Sequence, residues 1–355
     1  MSEPKSYRIA VDCMGGDKGP AEVVTALRIA LPELGAGDKL VLFGRETELN
    51  PLLAKAGLAG DARLEVRHTS EVIAMDDKPM QAIKSKKDAS MIRAFEALKA
   101  GEVDAVVSCG NTKVLVGAGL LKLRTVAGAE RPALATIWPR RKGHFIMLDA
   151  GANPEATPEQ LVHNAVLGSL YAKATLDVAR PRVGLLTVGT EEGKGGDRIN
   201  KTHTLLKALG DSINYVGPVE GYDLFEDAVD VAVTDGFTGN VFLKTSEGVF
   251  AMLQDLIKER VKKNPFYIVA GLVLLPMLKS LKQHLKPETY GGAPLLGLSG
   301  LVMKSHGSAS AAAIASAIRL GRQALVADII TRSTAELETA NTRIRETLAA
   351  APAAK

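Results

Sequence analysis

The sequence predicts a wound α/β protein: a mostly parallel sheet covered by helices on both faces, with a helical pair projecting from it. Three observations predict this class. Short apolar runs such as residues 8–11, 39–43 and 104–107 alternate with stretches of helical spacing, and strands that are apolar throughout are those buried on both faces of a parallel sheet. These runs repeatedly end in small, polar turns that feed a helix. Toward the C-terminus the rhythm gives way to one long helix, 241–261, and a second that begins with thirteen uncharged residues, 266–278.

The first strand, 8–11, stops at Asp12-Cys13-Met14-Gly15-Gly16-Asp17, and Pro20 suits the first turn of a helix continuing through 22–31. A strand at 39–43, a helix at 45–56 and a strand at 62–67 repeat the unit. Residues 75–91 interrupt it with a turn at Met75-Asp76-Asp77-Lys78-Pro79 and a basic loop, 84–90, between two helical pieces. The sheet resumes at 104–107 and stops at Ser108-Cys109-Gly110-Asn111-Thr112, which feeds another helix. Residues 133–137 and 145–148 read as strands joined by the cationic turn Pro139-Arg140-Arg141-Lys142-Gly143. The second ends at Asp149-Ala150-Gly151-Ala152-Asn153-Pro154. A helix over 158–179, a strand over 183–188, a turn from Gly189 to Asp197, a helix to about residue 209 and a strand near Tyr215 follow. Residues 231–233 form a short strand, and Asp235-Gly236-Phe237-Thr238-Gly239-Asn240 turns into the long helix. After the helical pair come the stretch 290–297, a polar turn at 305–308, an Ala-rich helix to about 330 and an amphipathic helix over 334–348. The expected organisation is a single α/β domain over 1–349, including a helical hairpin at about 240–286, with a frayed tail at 350–355.

Composition narrows the function. A net charge of +4 and 4% aromatic residues provide neither the basic footprint of a nucleic-acid binder nor its stacking platforms, so no nucleic-acid partner is expected. Cys13 and Cys109 make neither a disulfide framework nor a zinc spacing, and no metal site is expected. Residues 1–7 lead into a strand without the apolar run of an export signal, so a cytoplasmic location is expected. The run 266–278 spans roughly 20 Å as a helix, short of the roughly 30 Å hydrocarbon core. With its lysine-rich flanks it suits a helix lying at a lipid surface or buried in a subunit interface.

In an open parallel sheet, ligands sit beyond the carboxyl ends of the strands, where helix N-termini present backbone N–H groups. Asp12, Gly15, Gly16, Asp17, Gly110, Asn111, Thr112, Asp149, Asn153, Lys194, Asp235, Gly236, Gly239, Asn240 and His306 all stand at such ends. One turn alone is explained by the Gly and Asp that any α/β turn uses; the set predicts a phosphate-binding cleft. Lys194, between Gly193 and Gly195, can reach an anion as a point charge, or serve only as a solvated loop lysine. Asn240 can donate to an oxyanion, or simply cap its helix. His306 can contact phosphate or order the pocket, and a structural role fits it equally. Nucleotide fingerprints fail, because Gly193-Lys194 is followed by Gly195 and Gly117-Ala118-Gly119 by Leu120-Leu121-Lys122. Cys13 and Cys109 could be activated at helix N-termini, although a small buried filler is the preferred reading. Ser299 lies in no nucleophile elbow. With no evident protein nucleophile, a substrate that attacks by itself becomes attractive.

Taken in order, these stretches closely resemble the bacterial phosphate acyltransferase family (acyl-acyl carrier protein:phosphate acyltransferase). The resemblance rests on Ile9-Ala10-Val11-Asp12-Cys13-Met14-Gly15-Gly16-Asp17, Lys86-Lys87-Asp88-Ala89-Ser90-Met91, Ser108-Cys109-Gly110-Asn111-Thr112, Arg131-Pro132-Ala133, Leu148-Asp149-Ala150-Gly151-Ala152-Asn153, Asp235-Gly236-Phe237-Thr238-Gly239-Asn240-Val241 and Tyr290-Gly291-Gly292-Ala293-Pro294-Leu295-Leu296-Gly297. Lys113 stands where a glycine is usual, Thr190 where an acidic residue is usual, and Cys13 and Cys109 where another small residue is common. The resemblance implies a three-layer α/β/α fold like those of isopropylmalate dehydrogenase and phosphotransacetylase. It also implies a homodimer that moves a fatty acyl group from acyl carrier protein to inorganic phosphate, without a cofactor. The acyl phosphate product would supply a membrane glycerol-3-phosphate acyltransferase at the start of phospholipid synthesis, with peripheral membrane contact through 266–278. On this reading Lys194 neutralises phosphate or the oxyanion and Asn240 donates to the carbonyl oxygen. Gly15, Gly16, Gly110, Asn111, Thr112 and Gly239 shape the anion pocket, while Asp12, Asp149 and Asp235 orient donors. Cationic stretches at 140–142 or 258–263 would steer the acidic carrier.

Overall fold

The computed structural model describes residues 5–191, 194–263, 266–267, 273–274, 276–277 and 291–350. The chain begins β1 (Arg8–Asp12), α1 (Gly19–Ala30), β2 (Lys39–Gly44), α2 (Glu46–Lys55), β3 (Leu64–His68), α3 (Pro79–Ser85), α4 (Ser90–Lys99), β4 (Ala105–Ser108) and α5 (Thr112–Ala118). It continues through β5 (Ala133–Leu134), β6 (Thr136–Pro139), β7 (His144–Leu148), α6 (Pro158–Thr175), β8 (Arg182–Leu186), α7 (Gly196–Ala208), β9 (Asn214–Val219) and β10 (Val231–Val233). Then come α8 (Gly236–Lys262), β11 (Ala293–Leu296), β12 (Leu301–Lys304), α9 (Ala311–Val326) and α10 (Ile329–Ala350).

Strand and helix alternate as predicted, but the strands divide between two sheets. One has the order β3-β2-β1-β4-β12-β11-β5, the other β6-β7-β10-β8-β9. Both are mostly parallel, with antiparallel pairing confined to β5, β11 and β6 at their margins. The seam falls inside what the sequence reads as one strand, 133–137. Leu134 pairs with Leu295 in the first sheet and Thr136 with Met147 in the second, while Ala135 between them donates its N–H to the Pro294 carbonyl at 3.0 Å.

The reasons for several boundaries are local. Pro20 sits in the first turn of α1, as predicted. Thr157 and Gln160 form a reciprocal capping box on α6. That helix ends at Thr175, short of the predicted 179, and Asp177 just beyond it takes a positive φ of 55°. The long helix begins at Gly236 rather than 241, because Asp235 caps it by accepting from the Thr238 N–H at 2.7 Å. The last helix starts at Ile329, earlier than predicted, directly after Asp328 turns the chain at φ 49°.

One large apolar cluster joins both sheets: Ile9 and Val11 of β1, Ile146 and Leu148 of β7, Val183 of β8, Leu161 of α6 and Ile318 of α9 all belong to it. Outer clusters cover the opposite faces. Phe95, Leu115 and Val302 pack on the first sheet; Trp138, Phe145 and Met147 pack on the second, against Phe242 and Phe250 of α8. The second helix of the expected hairpin lies mostly outside the described residues; among those described, Phe266, Tyr267, Val273, Leu274 and Met277 are exposed. Among the described residues no helix is long and apolar enough to cross a membrane.

Candidate active site

The predicted residues gather into two neighbouring clusters, one at the carboxyl end of each sheet. In the second sheet, Asp149 follows β7 and is fully buried. Its Oδ1 accepts backbone N–H bonds from Leu134, Gly151 and Ala152, each at 2.9 Å, and its Oδ2 accepts from Asn153 N at 2.6 Å. Burial raises this carboxyl above its ordinary value while the four amides pull it back. The carboxylate thus holds the 149–153 turn in shape rather than facing a ligand.

The start of α8 rests on that turn. Gly236 donates to the Asn153 carbonyl at 2.9 Å. A Cβ on Gly239 would lie 1.9 Å from the Asp149 carbonyl oxygen, and one on Gly236 2.7 Å from that of Asn153. Only glycine permits this approach at both positions. Asn240 follows, too far into the helix to cap it, since Asp235 does so. Its side chain lies against Gly151, where a Cβ would meet Asn240 Oδ1 at 3.6 Å. Asn240 is exposed, and its amide bonds to no other described residue.

A residue missed in the sequence links the next turn to this one. Arg198, in the first turn of α7, donates through Nη2 to Asp235 Oδ2 at 2.5 Å. Its only sequence signal is an arginine one turn past Gly195-Gly196, ordinary in itself. Lys194 stands just before α7 with about half its side chain exposed, and pairs with Glu191 at 2.7 Å. The 189–197 and 234–240 turns are therefore joined through Arg198, which stands at the amino end of α8.

The first sheet carries the other cluster. Asp12 Oδ1 accepts from Gly15 N at 3.1 Å and Ser90 Oγ at 2.6 Å, and its Oδ2 from Ser108 Oγ at 2.6 Å. Gly16 holds φ at 95°, with Asp17 N donating to the Gly307 carbonyl. Gly110 N donates to Ser108 Oγ. Asn111 caps α5 through Oδ1, which accepts from Lys113 N and Val114 N, so Thr112 opens the helix. The Asn111 amide is already committed to the Met75 carbonyl at 2.7 Å. Val114 and Leu115 of that helix share an apolar cluster with Ala150, which sets the two turns on one core.

Cys13 and Cys109 are buried and free. Burial, then the Asp12 charge, pushes the Cys109 thiol up to about 12 and Cys13 well above its ordinary value. Neither is a thiolate near neutral pH, in keeping with the filler reading. The cationic turn needs correcting as a docking patch: Arg140 is inward, with 8% of its side chain exposed and bonded to Asp230 at 2.9 Å. Only Arg141 and Lys142 remain outside.

His306 follows β12, its Nδ1 2.8 Å from Ser308 Oγ. Partial burial, then Lys304 and Lys244, lowers its imidazole below the ordinary value. Lys304, which the sequence reading passed over, closes the apolar strand β12, and burial chiefly lowers its ammonium. Both residues line a groove of about 140 Å³ between α8 and the β5–β6 segment, beside a polar basin of about 320 Å³ at the start of α9. Of the residues predicted from sequence, only His306 lines the groove.

Residues 7–332 match the family model described as "Fatty acid synthesis protein". The chain is 44% identical over 316 residues to the phosphate acyltransferase of Dinoroseobacter shibae, covering 88% of this chain and 82% of that one. It is 41% identical over 323 residues to the phosphate acyltransferase of Heliobacterium modesticaldum, covering 91% and 95%. Among solved structures it resembles a phosphotransacetylase from Streptococcus pyogenes with a TM-score of 0.59 at 18% identity, covering 90% of this chain and 94% of that one. The EutD phosphotransacetylase from Staphylococcus aureus gives a TM-score of 0.57 at 16% identity, covering 90% and 94%. At such identities the structural likeness is one of fold, and it bears out the expected three-layer α/β/α architecture.

Proposed function

Because the chain belongs to the phosphate acyltransferase family, we propose that the two turns around the start of α8 bring inorganic phosphate to an acyl thioester and release acyl phosphate. The donor is a fatty acyl group on acyl carrier protein. One observation carries the assignment of roles: Asn240 is an amide donor with no partner among the described residues, fixed beside Gly151 by a helix start that only glycines allow.

Phosphate is an oxyanion at neutral pH and needs no protein base to become a nucleophile. The protein has to orient it and absorb charge. Lys194 and Arg198 hold phosphate near the first turns of α7 and α8, where helix N-termini favour anions. A phosphate oxygen attacks the thioester carbonyl, and the Asn240 amide donates to the oxygen that becomes negative. Collapse breaks the carbon–sulfur bond, and the hydroxyl proton of hydrogen phosphate ends on the departing sulfur. Asp12, Asp149 and Asp235 act through the turns they hold. Gly15, Gly16, Asp17, Gly110, Asn111 and Thr112 form the neighbouring wall.

The reading extends to a cytoplasmic homodimer that touches the bilayer where its product is consumed by a membrane glycerol-3-phosphate acyltransferase. Support for an apolar partner surface comes from exposed Val249, Met252, Leu253, Leu256 and Ile257 on α8, together with Phe266 and Val273.

The test is turnover with acyl carrier protein and coenzyme A thioesters, following acyl phosphate by mass spectrometry. Asn240→Ala should lower kcat by about 10²–10³, the cost of one oxyanion donor, while Lys194→Ala should raise the KM for phosphate. Near-normal turnover in Asn240→Ala removes it from that role. A preference for coenzyme A thioesters rejects the carrier-protein donor.

A further inference from the structure

Two walls of the groove beside α8 start from the same residue. One is α8 itself: Gly239 is stacked on the Asp149 carbonyl, and Asn240, Leu243, Glu247 and Phe250 then follow at spacings of three, four and three. That spacing places them on a single helix face. The other wall is the β5–β6 segment, whose Leu134 N–H is bound to Asp149 Oδ1 at 2.9 Å and which continues through Ile137 and Trp138. The α8 lining of the groove therefore begins with Leu243, one turn beyond Asn240, and its apolar sides include Leu134, Ile137, Trp138, Leu243 and Phe250. Its polar residues are Thr136 of β6, Glu247 on α8 between Leu243 and Phe250, and Lys304 and His306 on the side lined by β12 and the turn after it. Glu247 and His306 also line the polar basin, and Glu247 is paired with Lys244 at 2.8 Å.

We propose that this groove holds the hydrocarbon chain of the acyl donor, with the thioester carbonyl at Asn240, and that residues successively farther along α8 set the longest chain accepted. The proposal rests on the acyl-transfer reading above and adds to it the place and the ruler. An aliphatic chain fits the lining: it needs no hydrogen-bond partner from the apolar walls, and its burial is favourable in proportion to the area removed from water. Phe250 is ten residues beyond Asn240, about 15 Å along the helix axis, so near and far positions read different lengths. Leu243 lies close to the carbonyl end and Phe250 at the distal end.

The experiment measures kcat/KM with inorganic phosphate for two-, eight- and sixteen-carbon acyl groups on one carrier, in the wild type, Leu243→Trp and Phe250→Trp. Leu243→Trp should lower the value for the two longer donors by about tenfold or more, since even one methylene of pocket space is worth about that much. The two-carbon donor should be nearly unaffected, which also shows that the variant is folded. Phe250→Trp should penalise only the sixteen-carbon donor. Ile137→Trp, from the opposite wall, should reproduce the loss on long chains, and the KM for phosphate should not move in any variant. A uniform loss across lengths, or an unchanged length profile in all three variants, overturns the groove. If the wild type forms no acyl phosphate from any donor, it is the acyl-transfer reading that fails instead.

Discussion

Asp149 accepts four amides from its own turn and from Leu134, and it pairs with no cation among the described residues. A carboxylate used this way fixes the positions of its donors, and the four amide dipoles stabilise its charge without a cation. His306 shows the opposite economy, a titratable ring placed where cations oppose its protonation. Partial burial first, then Lys304 and Lys244, lowers its folded-state value, while Glu247 and Asp17 act the other way. The sign follows from proton counting. Above about pH 6.5, the ordinary histidine value, folded and unfolded chains both carry a neutral ring, and the residue adds no pH dependence. Below it the unfolded chain takes up the proton first, so stability falls as pH drops toward the lowered folded value. Urea midpoints measured from pH 7.5 to 5 should fall for the wild type and fall less for His306→Gln. Equal slopes in the two proteins would show that the ring is not held neutral.

At the scale of the element, α8 begins with residues that are poor helix formers, and packing explains why. Gly236 and Gly239 cost helix propensity, about 1 kcal/mol each against alanine, yet a Cβ on Gly239 would reach 1.9 Å from the Asp149 carbonyl oxygen. Gly248, in the same helix, has no described atom within 4 Å of such a Cβ. The two alanine variants should therefore move the melting temperature in opposite directions. Gly248→Ala should raise it by the propensity gain, whereas Gly239→Ala should lower it, with a net loss of about 1–3 kcal/mol from overpacking, and should also reduce turnover by displacing Asn240. A neutral Gly239→Ala would mean that the helix start can slide off the turn without consequence. This contrast marks how far the site could be read beforehand. The turn glycines, the strand-end aspartates, Lys194 and Asn240 announce themselves as small or polar residues closing apolar runs. Which glycine faces backbone is a matter of tertiary contact, and so is the commitment of Asn111 to Met75. Arg198 and Lys304 escape notice for a related reason: an arginine in a first helical turn and a lysine ending a strand are commonplace until a neighbour is placed beside them. The division into two sheets was hidden as well, because 133–137 is uniformly compatible with one strand and nothing local marks Ala135 as the seam.

Across the whole molecule, four of the five buried aspartates among the described residues sort by which end of the strands they occupy. At the amino ends, Asp38 accepts from Arg322 Nε at 2.5 Å and Tyr7 N at 2.8 Å, while Asp230 accepts from Arg140 Nη2 at 2.9 Å and Arg182 Nε at 3.0 Å. At the carboxyl ends, Asp12 and Asp149 are held by hydroxyls and amides, and the fifth buried aspartate, Asp235, pairs with Arg198. Cation-paired acids thus brace the amino ends of the strands, while at the carboxyl ends only Asp235 is cation-paired, its partner being the Arg198 proposed to meet an incoming anion. Removing one member of a buried pair strands the other, at a cost of about 3–5 kcal/mol. The low end applies here, since Arg182 and Arg322 keep 33% and 27% of their side chains in water. Asp38→Asn and Asp230→Asn should then lower stability by about 3 kcal/mol and leave kcat near normal at a temperature where they are folded, whereas Asp149→Asn should lower kcat. For Asp230 the effect carries a pH signature. Burial alone would raise its carboxyl, but the bonds from Arg182 and Arg140 outweigh it and hold the acid below its ordinary value. Its contribution is therefore present above about pH 3.9, the ordinary aspartate value, and is lost as pH falls through the lowered folded value. The acid limb of the wild-type unfolding curve should be steeper than that of Asp230→Asn. A drop in kcat for Asp230→Asn as large as that for Asp149→Asn would show that the two ends of the sheet are not divided between stability and chemistry.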